Sequence, residues 1–219
     1  MKATERPRRA SAGKPANANA NANATTGKET LGTRERILDA AVTIVIEQGT
    51  ARATTLEVQR RAGVSRGALL HHFPTHADLL SATVEGLVKR NEEAVLASLA
   101  KLEGTRDVVE RAIRVLAIAS VQPAYLAELE LWAVSRTDPA LRATLAEAER
   151  RARKDSERVL KTLFEASDSS PMQASVIAMT IEFLRGLALS GVLRGSPVRR
   201  QQLIGQWIQA TKLLLETTP

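Results

Sequence analysis

Apolar side chains recur at helical spacing along most of the chain beyond residue 32. The first such helix face consists of Ile37, Ala41, Ile44 and Val45. The β-branched run at 42–46 also fits a strand, but the helical spacing continues on both sides of it until Gly49. No alternating pattern bounded by turn residues occurs in the sequence, so we predict an all-α fold with about nine helices.

Three later helices are predicted to begin where a capping residue precedes a proline. The side chain before the proline accepts a hydrogen bond from a free backbone N–H, and proline lacks the donor that would be unsatisfied there. The three pairs are Asp138-Pro139, Ser170-Pro171 and Ser196-Pro197. A further boundary is expected at Gly104, and Pro123 is expected to end or kink a segment that begins near Asp107.

Residues 1–31 are low in complexity and contain almost no large apolar side chain. Such a composition cannot offset the entropy lost on ordering, so we predict a disordered tail. More than half of the net charge of +7 lies in this tail. A basic tail predicts non-specific attraction to a polyanion, and a merely solubilising role is the alternative.

The composition also limits the chemistry and the location of the protein. Cysteine is absent, which excludes disulfides and thiolate chemistry. The longest apolar runs, at 42–46 and 213–215, are far shorter than the roughly 20 residues of a membrane span. The N-terminal segment lacks the apolar core of a secretory signal. We therefore expect a cytoplasmic, nucleoid-associated protein without a membrane helix.

The stretch 54–73 predicts two short helices separated by a tight turn. Thr54 and Glu57 have the spacing of a capping box at the start of the first helix. Gly63 permits the backbone of a tight turn, and Ser65 can cap the second helix. This helix-turn-helix arrangement delivers the first residues of its second helix into the DNA major groove.

The same stretch resembles the signature of the TetR family. The matching residues are Ala62 to Gly67, Leu69, His72-Phe73-Pro74 and Asp78-Leu79-Leu80. The resemblance covers residues 33–80, and beyond residue 81 only the helical layout is similar. It implies a homodimeric repressor that releases a palindromic operator when a small molecule binds the C-terminal domain. The expected domains are a tail at 1–31, a helix-turn-helix domain at 32–80, and a ligand-binding and dimerisation domain at 81–219.

Two sets of DNA contacts are predicted in the reading head. The base contacts are Leu56, Ser65, Arg66, Gly67 and Ala68, and Arg66 can donate two hydrogen bonds to a guanine edge unless it is simply a solvated arginine. The phosphate contacts are Thr55, His71, His72 and His76. His76 stands where the family often has a lysine, so operator affinity is expected to depend on pH.

Other chemical interpretations of this region are weaker. Residues 63–67 match G-x-S-x-G, but a hydrolase elbow requires a strand before the serine, and a capped helix is predicted here. The three histidines do not share a helix face, because Pro74 interrupts them, so we predict no metal site. The basic run at 150–154 is flanked by acids at helical pairing distance, which favours a solvated face.

The C-terminal domain is expected to hold an apolar pocket and a dimer interface. The pocket candidates are Tyr125, Glu128, Trp132, Met179, Glu182, Phe183 and Arg185, although each could simply fill the core. The last two helices, at 171–194 and 197–216, are apolar on several faces and predict a twofold four-helix interface. The interface candidates are Phe183, Leu184, Leu187, Gly191, Leu203, Trp207 and Ile208.

The sequence therefore predicts a ligand-responsive transcriptional regulator, most simply a repressor, and not an enzyme. No catalytic residues, cofactor or metal are expected. The expected partners are double-stranded operator DNA, a small-molecule effector that the sequence does not identify, and a second copy of the chain. An architectural or non-specific DNA-binding protein is the alternative.

Overall fold

The computed structural model describes residues 19–102, 104–165 and 171–216 of the 219-residue chain. Within these residues the regular structure is entirely helical, which confirms the predicted all-α fold. The helices are α1 (Asn19–Gln48), a 3-10 helix (Thr50–Arg52), α2 (Thr55–Ala62), α3 (Arg66–His72), α4 (His76–Lys101), α5 (Val108–Ala119), α6 (Pro123–Ser135), α7 (Pro139–Phe164), α8 (Pro171–Leu193) and α9 (Pro197–Glu216).

The first helix begins earlier than the sequence predicts. α1 extends from Asn19, before the start that the apolar spacing predicts, and the disorder of the tail stays a prediction. Alanine has the highest helix propensity of all residues, and residues 19–31 extend a helix whose C-terminal half is anchored in the core. The remainder of the predicted tail, residues 1–18, lies outside the described residues.

The predicted helix starts are confirmed where they are described. Asp138 Oδ1 accepts a hydrogen bond from the Leu141 N–H at 2.9 Å at the start of α7. Ser196 Oγ accepts one from the Arg199 N–H at 3.3 Å at the start of α9. α8 begins at Pro171 as predicted. Pro123 is the first residue of α6, and the axes of α5 and α6 meet at 71°.

Two clusters of buried apolar side chains hold the fold together. The first contains Ile37, Ile44, Val58, Leu69, Val84 and Leu131, and joins α1 to α4 with α6 and α7. The second contains Ile113, Val115, Phe164, Leu184 and Ile208, and joins α5, α7, α8 and α9. α4 continues through residue 80, so the predicted domain boundary falls inside one helix rather than in a linker.

α1 and α4 approach each other closely at Gly86. A Cβ atom at this position would lie 2.7 Å from Val42 Cγ2, which is closer than a packed methyl tolerates. Glycine is therefore required for the observed spacing. This contact fixes the helix that precedes the reading head against the long helix that follows it.

α8 departs from the expectation that no segment is apolar enough to span a membrane. By length and composition it passes that criterion, with a mean hydropathy of 1.7. The length of uninterrupted apolar runs does not reveal such a helix, because α8 mixes apolar residues with small and polar ones. Only 28% of this apolar window is buried in the protomer, and its buried side packs against α9 through Leu184 in the second cluster.

Candidate nucleic-acid interface and internal cavity

The helix-turn-helix is built by local capping. Thr54 Oγ1 accepts a hydrogen bond from the Glu57 N–H at 3.2 Å and starts α2. Gly63 ends α2 with a left-handed φ of 63°, a conformation that favours glycine. Ser65 Oγ then accepts from the Ala68 N–H at 3.1 Å and starts α3. The predicted helices, the turn and the Thr54 and Ser65 caps are present, but the Thr54 N–H donates to the Arg52 carbonyl instead of the Glu57 side chain, so the predicted capping box is only half formed.

The predicted base contacts lie at the surface of this unit. Leu56 is 55% exposed although it is a large apolar residue. Ser65, Arg66 and Gly67 are exposed, and Ala68 is half-buried. No carboxylate among the described residues pairs with Arg66. Val58 and Leu69 are buried and hold α2 and α3 on the first cluster, so the exposed side chains stand on a fixed support.

The predicted phosphate contacts are less uniform. His71 is exposed and Thr55 is half-buried. His72 is half-buried with its ring edge-on to His71 at 5.1 Å, and burial, His71 and Arg34 lower its pKa. A neutral, half-buried imidazole is a weak phosphate ligand.

His76 has a partner inside the protein. Its Nε2 lies 3.0 Å from the carbonyl oxygen of Ala53, which precedes α2. Because a backbone carbonyl only accepts, Nε2 must carry the proton in this hydrogen bond. His76 therefore joins the start of α4 to the start of the reading head, and only Nδ1 is left for a phosphate.

A cavity of about 320 Å³ lies between α4, α5, α6, α7 and α8. Its wall is largely apolar, with Val88, Val95, Leu116, Val159, Leu160 and Ile181. Three of the seven predicted pocket residues line it, namely Tyr125, Glu128 and Arg185. Such a mixture of apolar surface and a few polar groups is typical of a small-molecule site.

The other four predicted pocket residues lie outside the cavity wall. Trp132 lies behind Arg185, whose Cζ is 4.3 Å from the ring centroid. Glu182 is exposed and pairs with the outer side of Arg185. Met179 is 51% exposed, and Phe183 stacks on Trp207 at 5.2 Å. Helical spacing placed these residues near the site but could not decide which way each one faces.

Two functional candidates escaped the sequence analysis, Asn91 of α4 and Glu149 of α7. Asn91 Nδ2 donates to Glu128 Oε2 at 2.5 Å. Glu149 Oε1 accepts from Trp132 Nε1 at 3.1 Å. Each lies four residues after a buried leucine, Leu87 or Leu145, and a polar residue within an apolar stripe is the signal that could have found them.

Glu128 and Glu149 form a pair of carboxyl groups at the cavity wall. Burial, followed by the charge of Glu149 and a hydrogen bond to it, raises the pKa of Glu128 to about 7. Two adjacent carboxyls in a poorly solvated site cannot both ionise easily. Glu128 therefore holds a proton over the acidic side of neutrality.

The predicted dimer residues divide into buried and accessible ones. Leu184 and Ile208 are each 2% exposed and belong to the protomer's own core, so their assignment to a contact surface is wrong. Phe183, Leu187, Leu203 and Trp207 are half-buried, and Gly191 is exposed. The outward stripe of α8 instead consists of Met179, Glu182, Gly186, Leu189 and Leu193.

The cavity and the reading head are joined through α6. Glu130, two residues after Glu128, accepts a hydrogen bond from the Thr50 N–H at 2.7 Å. Thr50 begins the 3-10 helix that leads into α2. One helix thus lines the cavity and touches the segment that carries the reading head.

These features define a helix-turn-helix protein whose reading head is fused to a helical domain with an internal cavity. Residues 37–83 match the family described as bacterial regulatory proteins, tetR family. The chain is similar to the HTH-type transcriptional regulator CymR of Pseudomonas putida, with 36% identity over 118 residues that cover 54% of this chain and 58% of the relative. An uncharacterised HTH-type transcriptional regulator of Mycobacterium tuberculosis is 34% identical over 113 residues, 52% of this chain and 58% of the relative.

The chain thus spans somewhat more than half the length of these curated relatives. The crystal structure of the multidrug binding protein EbrR complexed with ethidium matches with a TM-score of 0.59 and 24% identity, over 83% of this chain and 98% of that one. That likeness shows the shared fold. Residues 37–83, which contain the helix-turn-helix, thus match the tetR family of bacterial regulatory proteins, and the expectation of a regulator rather than an enzyme agrees with the relatives' names.

Proposed function

We propose that the protein is a transcriptional repressor that binds a palindromic operator as a homodimer and releases it when a small molecule enters the cavity. The observation that carries this proposal is the direct hydrogen bond between Glu130 of the cavity helix and Thr50 at the base of the reading head. A ligand that displaces α6 also displaces the support of α2 and α3. No cofactor is required for this cycle.

The proposed reading surface is the first turn of α3 with its neighbour on α2. Ser65, Arg66, Gly67 and Ala68 face base edges, and Leu56 contacts a thymine methyl. The exposure of Leu56 supports this role, since water is a poor neighbour for its side chain. Thr55 and His71 contact phosphates, with smaller contributions from His72 and from Nδ1 of His76.

The proposed effector site is the cavity between α4 and α8. EbrR is a multidrug binding protein whose structure holds ethidium, and the shared fold supports a ligand site at the corresponding place in this chain. Tyr125, Glu128 and Arg185 are its polar contacts, together with Asn91 and Glu149. Trp132 and Glu182 act behind Arg185 rather than on the ligand.

The proposed dimer is made by α8 and α9. The outward residues of α8 alternate in steps of three and four from Met179 to Leu193, the spacing by which two helices pack along a seam. We propose that a second copy of the chain, rather than lipid, packs against this apolar face. The protein then acts in the cytoplasm at the nucleoid.

Selection from a random DNA library, followed by footprinting of the enriched sequences, tests the proposal. We expect a twofold-symmetric site whose halves are centred about 10 base pairs, or a multiple of that, apart. Enrichment of no common sequence, with equal affinity for every duplex, would instead identify an architectural DNA-binding protein.

A further inference from the structure

The cavity contains a charge arrangement that selects among ligands. Glu128 and Glu149 both line its wall, where Asn91 donates to Glu128 and Trp132 donates to Glu149. We infer that the effector is an organic cation with an apolar body, whose positive charge lies beside Glu128 and Glu149. This inference rests on the proposed function, because it names the class of molecule that the same cavity takes.

The charges that face the pair from neighbouring helices favour a cation. α4 contributes Asn91 and Glu92, α7 contributes Glu157, α6 contributes Tyr125, and α8 contributes Arg185. Arg185 is the one basic group in the described wall. Its guanidinium is paired with Glu182 and lies over the ring of Trp132, so part of its charge is already compensated within the protein.

Asn91 supplies a second, independent sign of a ligand. Its Nδ2 donates to Glu128, but its Oδ1 is buried and accepts no hydrogen bond from the described residues. A buried acceptor without a donor is costly unless something else fills the position. An N–H group on the ligand satisfies it, which narrows the class to cations that carry N–H donors, such as amino-aromatic cations.

Proton exchange follows from this arrangement. When the cation binds, Glu128 loses its proton to solvent and both carboxylates become available to the positive charge. In the protein without ligand, Glu128 is protonated well below pH 7 and ionised well above it. Proton release should therefore approach one per protomer near pH 6 and fall towards zero by pH 8.5, while affinity rises with pH by up to about tenfold per pH unit.

Calorimetric titration of the full chain with ethidium, without DNA, tests the inference. Ethidium carries a permanent charge and two amino groups, so any proton released comes from the protein. Its uncharged parent, 3,8-diamino-6-phenylphenanthridine, is the matched control ligand. Heats measured at one pH in buffers of different ionisation enthalpy give the number of protons released. We expect ethidium to bind more tightly than the diamine and to release a proton.

Three variants locate the effect. Glu128→Gln and Glu149→Gln keep the shape of the wall, and each should weaken ethidium binding by roughly tenfold or more while leaving the diamine unaffected. Glu128→Gln should abolish proton release, whereas Glu149→Gln should reduce it, because burial still raises the pKa of Glu128 in that variant. Glu147→Gln, on the exposed face of α7, is the matched control and should change neither quantity. Circular dichroism checks that every variant is folded.

Several outcomes would overturn the inference. They are equal affinity for ethidium and the diamine, ethidium binding without proton release near pH 6, and preferential binding of an aromatic carboxylate that depends on Arg185. Because no DNA is present, these outcomes are distinct from failure of the repressor proposal, which the library selection reports. Ethidium binding with proton release, together with no operator, would retain the cavity assignment and reject the repressor.

Discussion

The backbone N–H of Thr50 donates a hydrogen bond to Glu130 Oε1 over 2.7 Å, although the two residues are 80 positions apart in the chain. Thr50 lies in the 3-10 helix before α2, and Glu130 lies one half-turn beyond Glu128 on α6. A small rotation of α6 at the cavity therefore moves the acceptor of this hydrogen bond. The arrangement supplies a short physical route from ligand to reading head.

Removing this acceptor should uncouple the two sites. We expect Glu130→Ala to reduce the effect of ethidium on operator affinity, a coupling that is typically about 1–3 kcal/mol in such systems. Ethidium binding without DNA should not change. Glu130→Gln retains an oxygen acceptor and should keep most of the coupling. Operator titrations with and without ethidium measure it, and full coupling in the alanine variant would show that another contact transmits the change.

Substitutions in α3 should distinguish the residues that contact bases from those that contact the DNA backbone. Arg66→Ala should cost about 1–3 kcal/mol of operator affinity and relax preference at one position in each half-site. His71→Ala should lower the affinity for the operator and for scrambled DNA by the same factor. Fluorescence anisotropy with the operator and its single-base variants measures both. A uniform loss for Arg66→Ala would remove it from the base contacts and leave the helix-turn-helix intact.

The carboxyl pair should give the folded protein a distinctive pH profile. Burial and Glu149 raise the pKa of Glu128 from 4.5 to about 7, so the folded state binds the proton more tightly than the unfolded state. The free energy of unfolding should therefore fall as the pH rises from about 4.5 to 7 and then level off, a loss of on the order of 3 kcal/mol.

Glu128→Gln should remove this fall. The variant should match the parent near pH 4.5 and be more stable at pH 8, as measured by urea denaturation at fixed protein concentration. Glu147→Gln should keep the parent profile above pH 5, because Arg150 and Arg151 lower the pKa of Glu147. Parallel profiles for the parent and Glu128→Gln would contradict the raised pKa.

The outward face of α8 should control assembly. Leu189 is 51% exposed and Leu96 of α4 is 56% exposed, so both should accept glutamate without loss of the protomer fold. At the proposed interface, Leu189→Glu buries an unpaired charge at a cost of several kcal/mol. Sedimentation should show a monomer for Leu189→Glu and a dimer for Leu96→Glu. A full-strength Leu189→Glu dimer would place the interface elsewhere.

The basic segment before α1 should contribute affinity that depends on salt. Residues 1–18 contain Lys2, Arg6, Arg8, Arg9 and Lys14 but only one acid, Glu5. Deleting residues 2–18 leaves α1 complete from Asn19. The deletion should weaken binding to all DNA and flatten the slope of log affinity against log salt, because fewer counterions are released. An unchanged slope would mean that this segment does not meet DNA.

Local chemistry explains which features the sequence could predict. The reading head follows from caps and a turn that lie within a few residues of each other, such as Thr54, Gly63 and Ser65. The carboxyl pair was not predictable, because Glu128 and Glu149 meet only when α6 packs against α7. The same limit applies to Leu184 and Ile208. An apolar residue in an apolar helix carries no local sign of whether it faces its own core or a partner.

The positions of the two tryptophans have a spectroscopic consequence. The chain has only these two, and each reports on a different region. Trp132 lies under the Arg185 guanidinium beside the cavity, and Trp207 stacks on Phe183 between α8 and α9. Phenylalanine at position 207 preserves the ring stack and leaves Trp132 as a single emitter. The emission of Trp132 should then report whether the cavity is occupied, without any attached dye. Subtracting the emission spectrum of Trp207→Phe from that of the parent gives the emission of Trp207, which reports on the C-terminal helices.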